Sequence, residues 1–258
     1  MNTAIQPKWR HPSWLLLSAS GVLVLDQLLV DQWLIALVVV GLGSLVVALR
    51  AGQPTISTLA LLASTWAAWK LFLPRFQQWP WIMGVPVVCV VVALLLWPKR
   101  FAAAVPFGRI DRSDVALSGF IVLSACLGLW LWLEFAAPDL AVQRSLLPGA
   151  GLAVKLGILL GFALINAALE EFIYRSVVLQ ALSQVFSPQV AVVGQAIVFA
   201  SAHATASVPD GPAGVILTFI FGVLQGLLRH RVGGLGLPFI VHVLVDVFIG
   251  CILFFGRA

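Results

Sequence analysis

Apolar stretches of close to twenty residues follow one another along almost the whole chain, at roughly 14–30, 33–49, 55–73, 79–97, 115–135, 152–169, 189–204, 213–228 and 235–255. A helix needs about 20 apolar residues to cross the hydrocarbon core of a bilayer, so each stretch reads as one span. The expected fold is an all-α polytopic membrane protein of about eight transmembrane helices, eight or nine in number. The choice turns on residues 152–186, which form either one long tilted helix or a span followed by an interfacial helix. Composition agrees. Only 10% of the 258 residues are charged and the mean hydropathy is +1.07, whereas a soluble domain is about a quarter charged. A soluble globule is excluded, and so is disorder, which needs low hydrophobicity.

The net charge of +5 does not describe a nucleic-acid surface, because the basic residues lie in short clusters between apolar runs, where they report membrane orientation. Lys8, Arg10, Arg50, Lys99, Arg100, Arg109, Arg112, Arg175, Arg229 and Arg231 fall on one side of the alternating spans. Arg75, Arg144 and Arg257 fall on the other, with Lys70 and Lys155 near span ends where they can snorkel. The positive-inside rule then predicts a cytoplasmic N-terminus, and the expected location is a cell (inner) membrane of bacterial or archaeal type. Cys89, Cys126 and Cys251 stand alone in apolar runs and read as small hydrophobes rather than disulfide or metal partners.

Two regions differ in character. Residues 1–135 hold all ten tryptophans, many at span ends, and read as a lipid-facing scaffold of transmembrane helices. Residues 150–258 hold none, and small residues such as Gly222 and Gly226 in GxxxG spacing point to a tightly packed core. Pro-Gly segments at Leu147-Pro148-Gly149 and Val208–Pro212 read as turns.

An ionisable group at membrane depth is costly and marks function. Asp26, Asp31, Asp111, Asp114, Asp139 and Asp210 lie near span ends or in loops, where solvation or capping accounts for them, and Glu134 reads as interfacial. The remaining groups, Glu170, Glu171, His203, His242 and Asp246, concentrate in the last hundred residues. Helical spacing places Glu171 four residues before Arg175, the favoured order for an ion pair. Glu170 shares its face with Asn166 and Tyr174, neither of which neutralises it, so it is expected to be an unpaired carboxylate suited to a general base. His242 and Asp246 are also four apart. One carboxylate, two histidines and an aspartate on neighbouring helices suit hydrolysis by activated water. The same four side chains could make a tetrahedral zinc site, and spacing does not separate the two chemistries.

The ordered motifs Glu170-Glu171-x-x-x-Arg175, Phe199-x-x-x-His203 and His242-x-x-x-Asp246 resemble the signature of the CPBP family, the CAAX-protease and bacteriocin-processing intramembrane proteases that include the type II prenyl-protein endopeptidases. The resemblance implies an intramembrane endopeptidase with a cavity open to water and lipid, cutting near the membrane surface and close to the C-terminus of a membrane-anchored protein or peptide. It implies Glu170 as general base, His203 as the group positioning water, and His242 with Asp246 supporting the oxyanion. Glu171, Arg175, Phe199 and Tyr174 would support these four. Where the prenyl endopeptidases usually carry Asn, this chain has Asp246, which cannot donate to an oxyanion when ionised. It is therefore expected to be protonated or to orient His242. A prenylated CAAX tail, a bacteriocin leader and a C-terminal sorting tag would each suit such a site. No cofactor is expected, with a zinc-dependent version of the protease as the alternative. A non-enzymatic immunity or binding protein, or a proton-coupled carrier, is the reading from another class.

Overall fold

The computed structural model describes residues 13–28, 33–76, 79–136, 151–204 and 208–255, together with 138 and 140. Lys8, Arg10, Asp31, Asp139, Arg144, Arg257 and the Leu147–Gly149 turn lie outside the described residues. Within them the chain is all-α: α1 (Ser13–Leu28), α2 (Leu34–Arg50), α3 (Pro54–Phe72), α4 (Trp81–Leu96), α5 (Arg112–Ala136), α6 (Leu152–Leu182), α7 (Pro188–Ser201), α8 (Gly211–Val232) and α9 (Gly236–Phe255). Helices α5, α6, α8 and α9 are each long and apolar enough to cross a membrane. The protein is a polytopic integral membrane protein.

The 152–186 segment is one helix followed by a short turn. At 31 residues, α6 measures about 46 Å at 1.5 Å per residue, so it overhangs or tilts within a ~30 Å core. Helix ends follow local chemistry. Ser187 caps α7 by accepting from the Val190 amide at 3.5 Å, with Pro188 in the first turn. Gly233, at φ 65°, ends α8 in the left-handed conformation.

The tryptophan-rich half is more than a lipid-facing scaffold. Leu15, Leu16, Leu59, Leu62 and Ala63 are fully buried and belong to one apolar cluster with Ile173, Val178 and Phe199 from α6 and α7. The GxxxG expectation holds on α8. A Cβ at Gly222 would stand 3.0 Å from the Phe199 ring, and one at Gly226 would stand 3.0 Å from Val192, so α8 lies close against α7. Helix α9 packs against both α6 and α5. Asp26 is neither solvated nor capping: it is 3% exposed and lies 3.0 Å from Lys70 Nζ, so Lys70 is held in an ion pair rather than snorkelling.

Residues 97–111, between α4 and α5, form a strap across one end of the bundle. The Ala102 amide donates to Thr58 Oγ1 (2.9 Å) and the Ala104 amide to Gln180 Oε1 (2.6 Å), while Ser176 Oγ donates to the Ala104 carbonyl (2.8 Å). Farther along, the Arg109 amide donates to the Val232 carbonyl (2.9 Å), and the Leu235 and Gly236 amides donate to Pro106 (2.8 Å) and Phe107 (2.9 Å). Gly234 meets the backbone of Gly108 with no room for a Cβ. The strap thereby joins the start of α3, the end of α6 and the α8–α9 turn in one face. Arg50, Lys99, Arg100, Arg109, Arg112, Arg229 and Arg231 lie on it. Asp114 on the same face caps α5 by accepting from the Asp111 amide and pairs with Arg231 at 2.5 Å.

Candidate active site

The buried charge cluster begins where the winding of α6 changes. Residues Glu171–Val178 are π-helical, and the Leu179 amide reaches back five residues to the Tyr174 carbonyl. A π-turn inside an α-helix is rare and concentrates at functional sites. In an α-helix, two consecutive glutamates diverge by 100°. Here both nonetheless approach the same imidazole, which stands between them. Glu171 Oε1 lies 2.7 Å from His242 Nδ1, and Glu170 Oε2 lies 3.3 Å from His242 Nε2.

Two expectations change accordingly. The Glu171–Arg175 pair is present, at 3.2 Å. Glu170, however, is not unpaired, because His242 from α9 stands against it. Asp246 is 3.8 Å from His242 Nε2, too far for a hydrogen bond, so it does not orient the ring directly. Glu171 does that.

Phe199 is the hub of the cluster. Its ring centroid lies 5.0 Å from His203, 6.2 Å from His242 and 4.7 Å from Tyr174. The Arg175 guanidinium stacks over it at 4.6 Å, a cation–π contact in a site shielded from water. His203 sits in the turn just past α7, with Nδ1 3.2 Å from the Phe199 carbonyl. A carbonyl only accepts, so Nδ1 carries the proton and, in the neutral ring, Nε2 is left as an acceptor that can hold a water. Tyr174, with Trp66 and Gln27, lines a cavity of about 10 Å³ beside the cluster, room for roughly one water.

Sequence reasoning missed two residues. Asn166 Nδ2 donates to Asp246 Oδ2 at 3.1 Å, and Trp79 Nε1 donates to Asn166 Oδ1 at 3.0 Å. An indole N–H only donates, so the amide oxygen must face Trp79 and the NH₂ must face the carboxylate. Asn166 carried a signal, as a polar side chain in an apolar run four residues before Glu170. Trp79 carried none, since it comes from the other half of the chain.

A zinc ion would need several of Glu170, His203, His242 and Asp246 to converge. Both ring nitrogens of His242 already face carboxylates, and among the described residues no three His, Cys, Asp or Glu side chains are arranged to hold a metal. The donor set does not fit zinc as it stands.

Residues 152–248 match the family described as Type II CAAX prenyl endopeptidase Rce1-like. Neither the curated proteins nor the solved structures gave a match.

Proposed function

We propose, on the footing that residues 152–248 belong to the Rce1-like CAAX protease family, that this chain is an intramembrane endopeptidase using water activated by glutamate and histidine. Its substrate would be a membrane-associated protein or peptide cut close to its C-terminus. The observation that supports it best is the convergence of Glu170, His203 and His242 around Phe199, with the second glutamate already held by Arg175.

Water bound between Glu170 and His203 Nε2 gives a proton to Glu170 as its oxygen attacks the scissile carbonyl carbon. Once protonated, Glu170 no longer holds the N–H at His242 Nε2, which then donates to the tetrahedral oxyanion while Glu171 fixes the ring through Nδ1. Asp246, an acceptor when ionised, cannot serve there as a donor. It holds Asn166 instead, and the second N–H of that amide supplies the missing donor. Glu170 then returns the proton to the departing amine as the C–N bond breaks.

The test is cleavage by purified protein of a membrane-anchored substrate. Glu170→Ala and His203→Ala should each lower turnover by about 10²–10⁴, the usual worth of a positioned acid–base group, in protein that keeps its helical content. Wild-type activity in either variant would sink the assignment. Chelators should leave activity intact, and full loss with recovery on adding zinc would favour the metal-dependent version.

A further inference from the structure

The face of α8 that carries Phe221 continues past the charge cluster as a polar stripe. Phe221 stands edge-on to His242, with ring centroids 5.4 Å apart. Gln225 and Arg229 follow at four-residue intervals, on the same side of the helix. Gln225 is fully buried. Its Nε2 donates to the Pro238 carbonyl on α9 at 3.0 Å, which leaves Oε1 without a partner. Arg229 lies eight residues beyond Phe221, about 12 Å along the helix axis. Side chains lean toward the start of their own helix, so that of Arg229 leans back toward the cluster, and the Glu171 carboxylate acts on it electrostatically.

Arg229 nonetheless lacks a partner. The residue is half-buried, and its Nε is shielded and makes no hydrogen bond. Among the described residues the acids that pair with a lysine or arginine take another one: Asp114 takes Arg231, Glu171 takes Arg175 and Asp26 takes Lys70. Gln225 Oε1, one turn back, does not accept from it either. A shielded guanidinium N–H that stays unbonded is costly. Snorkelling does not remove that cost, because it wets the outer Nη atoms and leaves Nε dry. A carboxylate does remove it, since its planar oxygens match the Nε–Nη edge of a guanidinium with two parallel bonds. A lipid phosphate at the surface meets the outer Nη atoms, whereas Nε calls for a ligand lying along the stripe.

We infer that Arg229 binds the free C-terminal carboxylate of the substrate and so sets where the chain is cut. This rests on the protease reading above and deepens it. With the scissile carbonyl at His242, beside Phe221, the tail runs along α8 over about 12 Å, the length of three to four extended residues at ~3.3 Å each. A polypeptide cut in the middle of its chain has no charge to place there.

The experiment uses the full chain in detergent and a pool of peptides with an N-terminal palmitoyl anchor and randomised final residues. The pool is made once with a free C-terminal carboxylate and once as the C-terminal amide, and fragments are read by mass spectrometry. Apparent kcat/KM should be about 10–100-fold higher for the carboxylate pool, the worth of a hydrogen bond to a charged group, with the difference carried mainly by KM. Arg229→Gln should bring the carboxylate pool down to the level of the amide, and Arg229→Lys should keep part of the preference. Equal cleavage of the two pools by the wild type overturns the inference. So does a loss in Arg229→Gln that is the same for both pools, which would mark a structural or lipid-binding arginine. A second arm measures binding of both pools to Glu170→Ala protein by fluorescence anisotropy. Tighter binding of the carboxylate pool, abolished by adding Arg229→Gln, is expected, and equal binding overturns the inference. That binding pattern in a protein whose wild type cleaves neither pool would refute the protease reading and leave the role of Arg229 standing.

Discussion

Replacing Asn166 by alanine removes one side chain and strands two others. Trp79 Nε1 loses its acceptor and Asp246 Oδ2 loses its donor. Asn166 is 8% exposed and Asp246 is 3% exposed, so bulk water is poorly placed to replace either bond. A neutral hydrogen bond contributes about 0.5–1.5 kcal/mol and one to a charged group about 1.5–3. Asn166→Ala should therefore destabilise the protein by about 2–4 kcal/mol, read as a fall in melting temperature in detergent. Trp79→Phe should cost only the neutral bond, about 0.5–1.5 kcal/mol. In the double variant that bond is not lost twice, so the two costs should add to less than their sum. If the free N–H of Asn166 also meets the oxyanion, kcat per folded molecule should fall by about 10²–10³, the usual worth of one such donor. Full kcat in folded Asn166→Ala protein refutes the donor role. An unchanged melting temperature refutes the hydrogen-bond chain itself.

Arg175→Met should destabilise by about 3–5 kcal/mol, because it removes one partner of a buried ion pair and leaves Glu171 with His242 alone. Arg175→Lys should not restore the loss, since a point charge cannot stack on Phe199 as a guanidinium does, and thermal denaturation of both variants checks this. Gly234→Ala places a methyl group into the Gly108 backbone, which should free the strap from the α8–α9 turn. Losing the Arg109, Leu235 and Gly236 bonds implies a destabilisation of about 2–4 kcal/mol, and proteolysis within 97–111 should accelerate.

The helices were legible because an apolar helix declares itself through length and apolarity, both local properties, although only four of those described are long and apolar enough to cross a membrane. The reading of 235–255 became Gly236–Phe255, and that of 14–30 became Ser13–Leu28. Residues 152–186 were ambiguous for a physical reason. Hydropathy drops at Glu170 because charges are buried there, and what makes the burial tolerable is supplied by α7 and α9. The same limit explains the misreading of Glu170. Its own helix offers it no partner, while His242 reaches it from 72 positions away in the chain. Asp26 misled in the same way, its cation lying on α3. The Glu171–Arg175 pair was legible because both partners sit on one helix, and its i,i+4 contact survives the π winding.

That winding has a further consequence. Helix α6 is one rod with two duties: its middle presents Glu170 and Glu171 to His242, and its end presents Ser176 and Gln180 to the strap. The π-turn lies between them and acts as a phase setting, fixing the rotation of one face against the other as an offset key fixes two cams on a shaft. Were the same residues wound as an ordinary α-helix throughout, every side chain beyond the turn would be displaced by about 100° relative to those before it. The anchor and the catalytic face could then no longer both be in register. Loss of the π winding with the residue count unchanged would here uncouple attachment from the charge cluster.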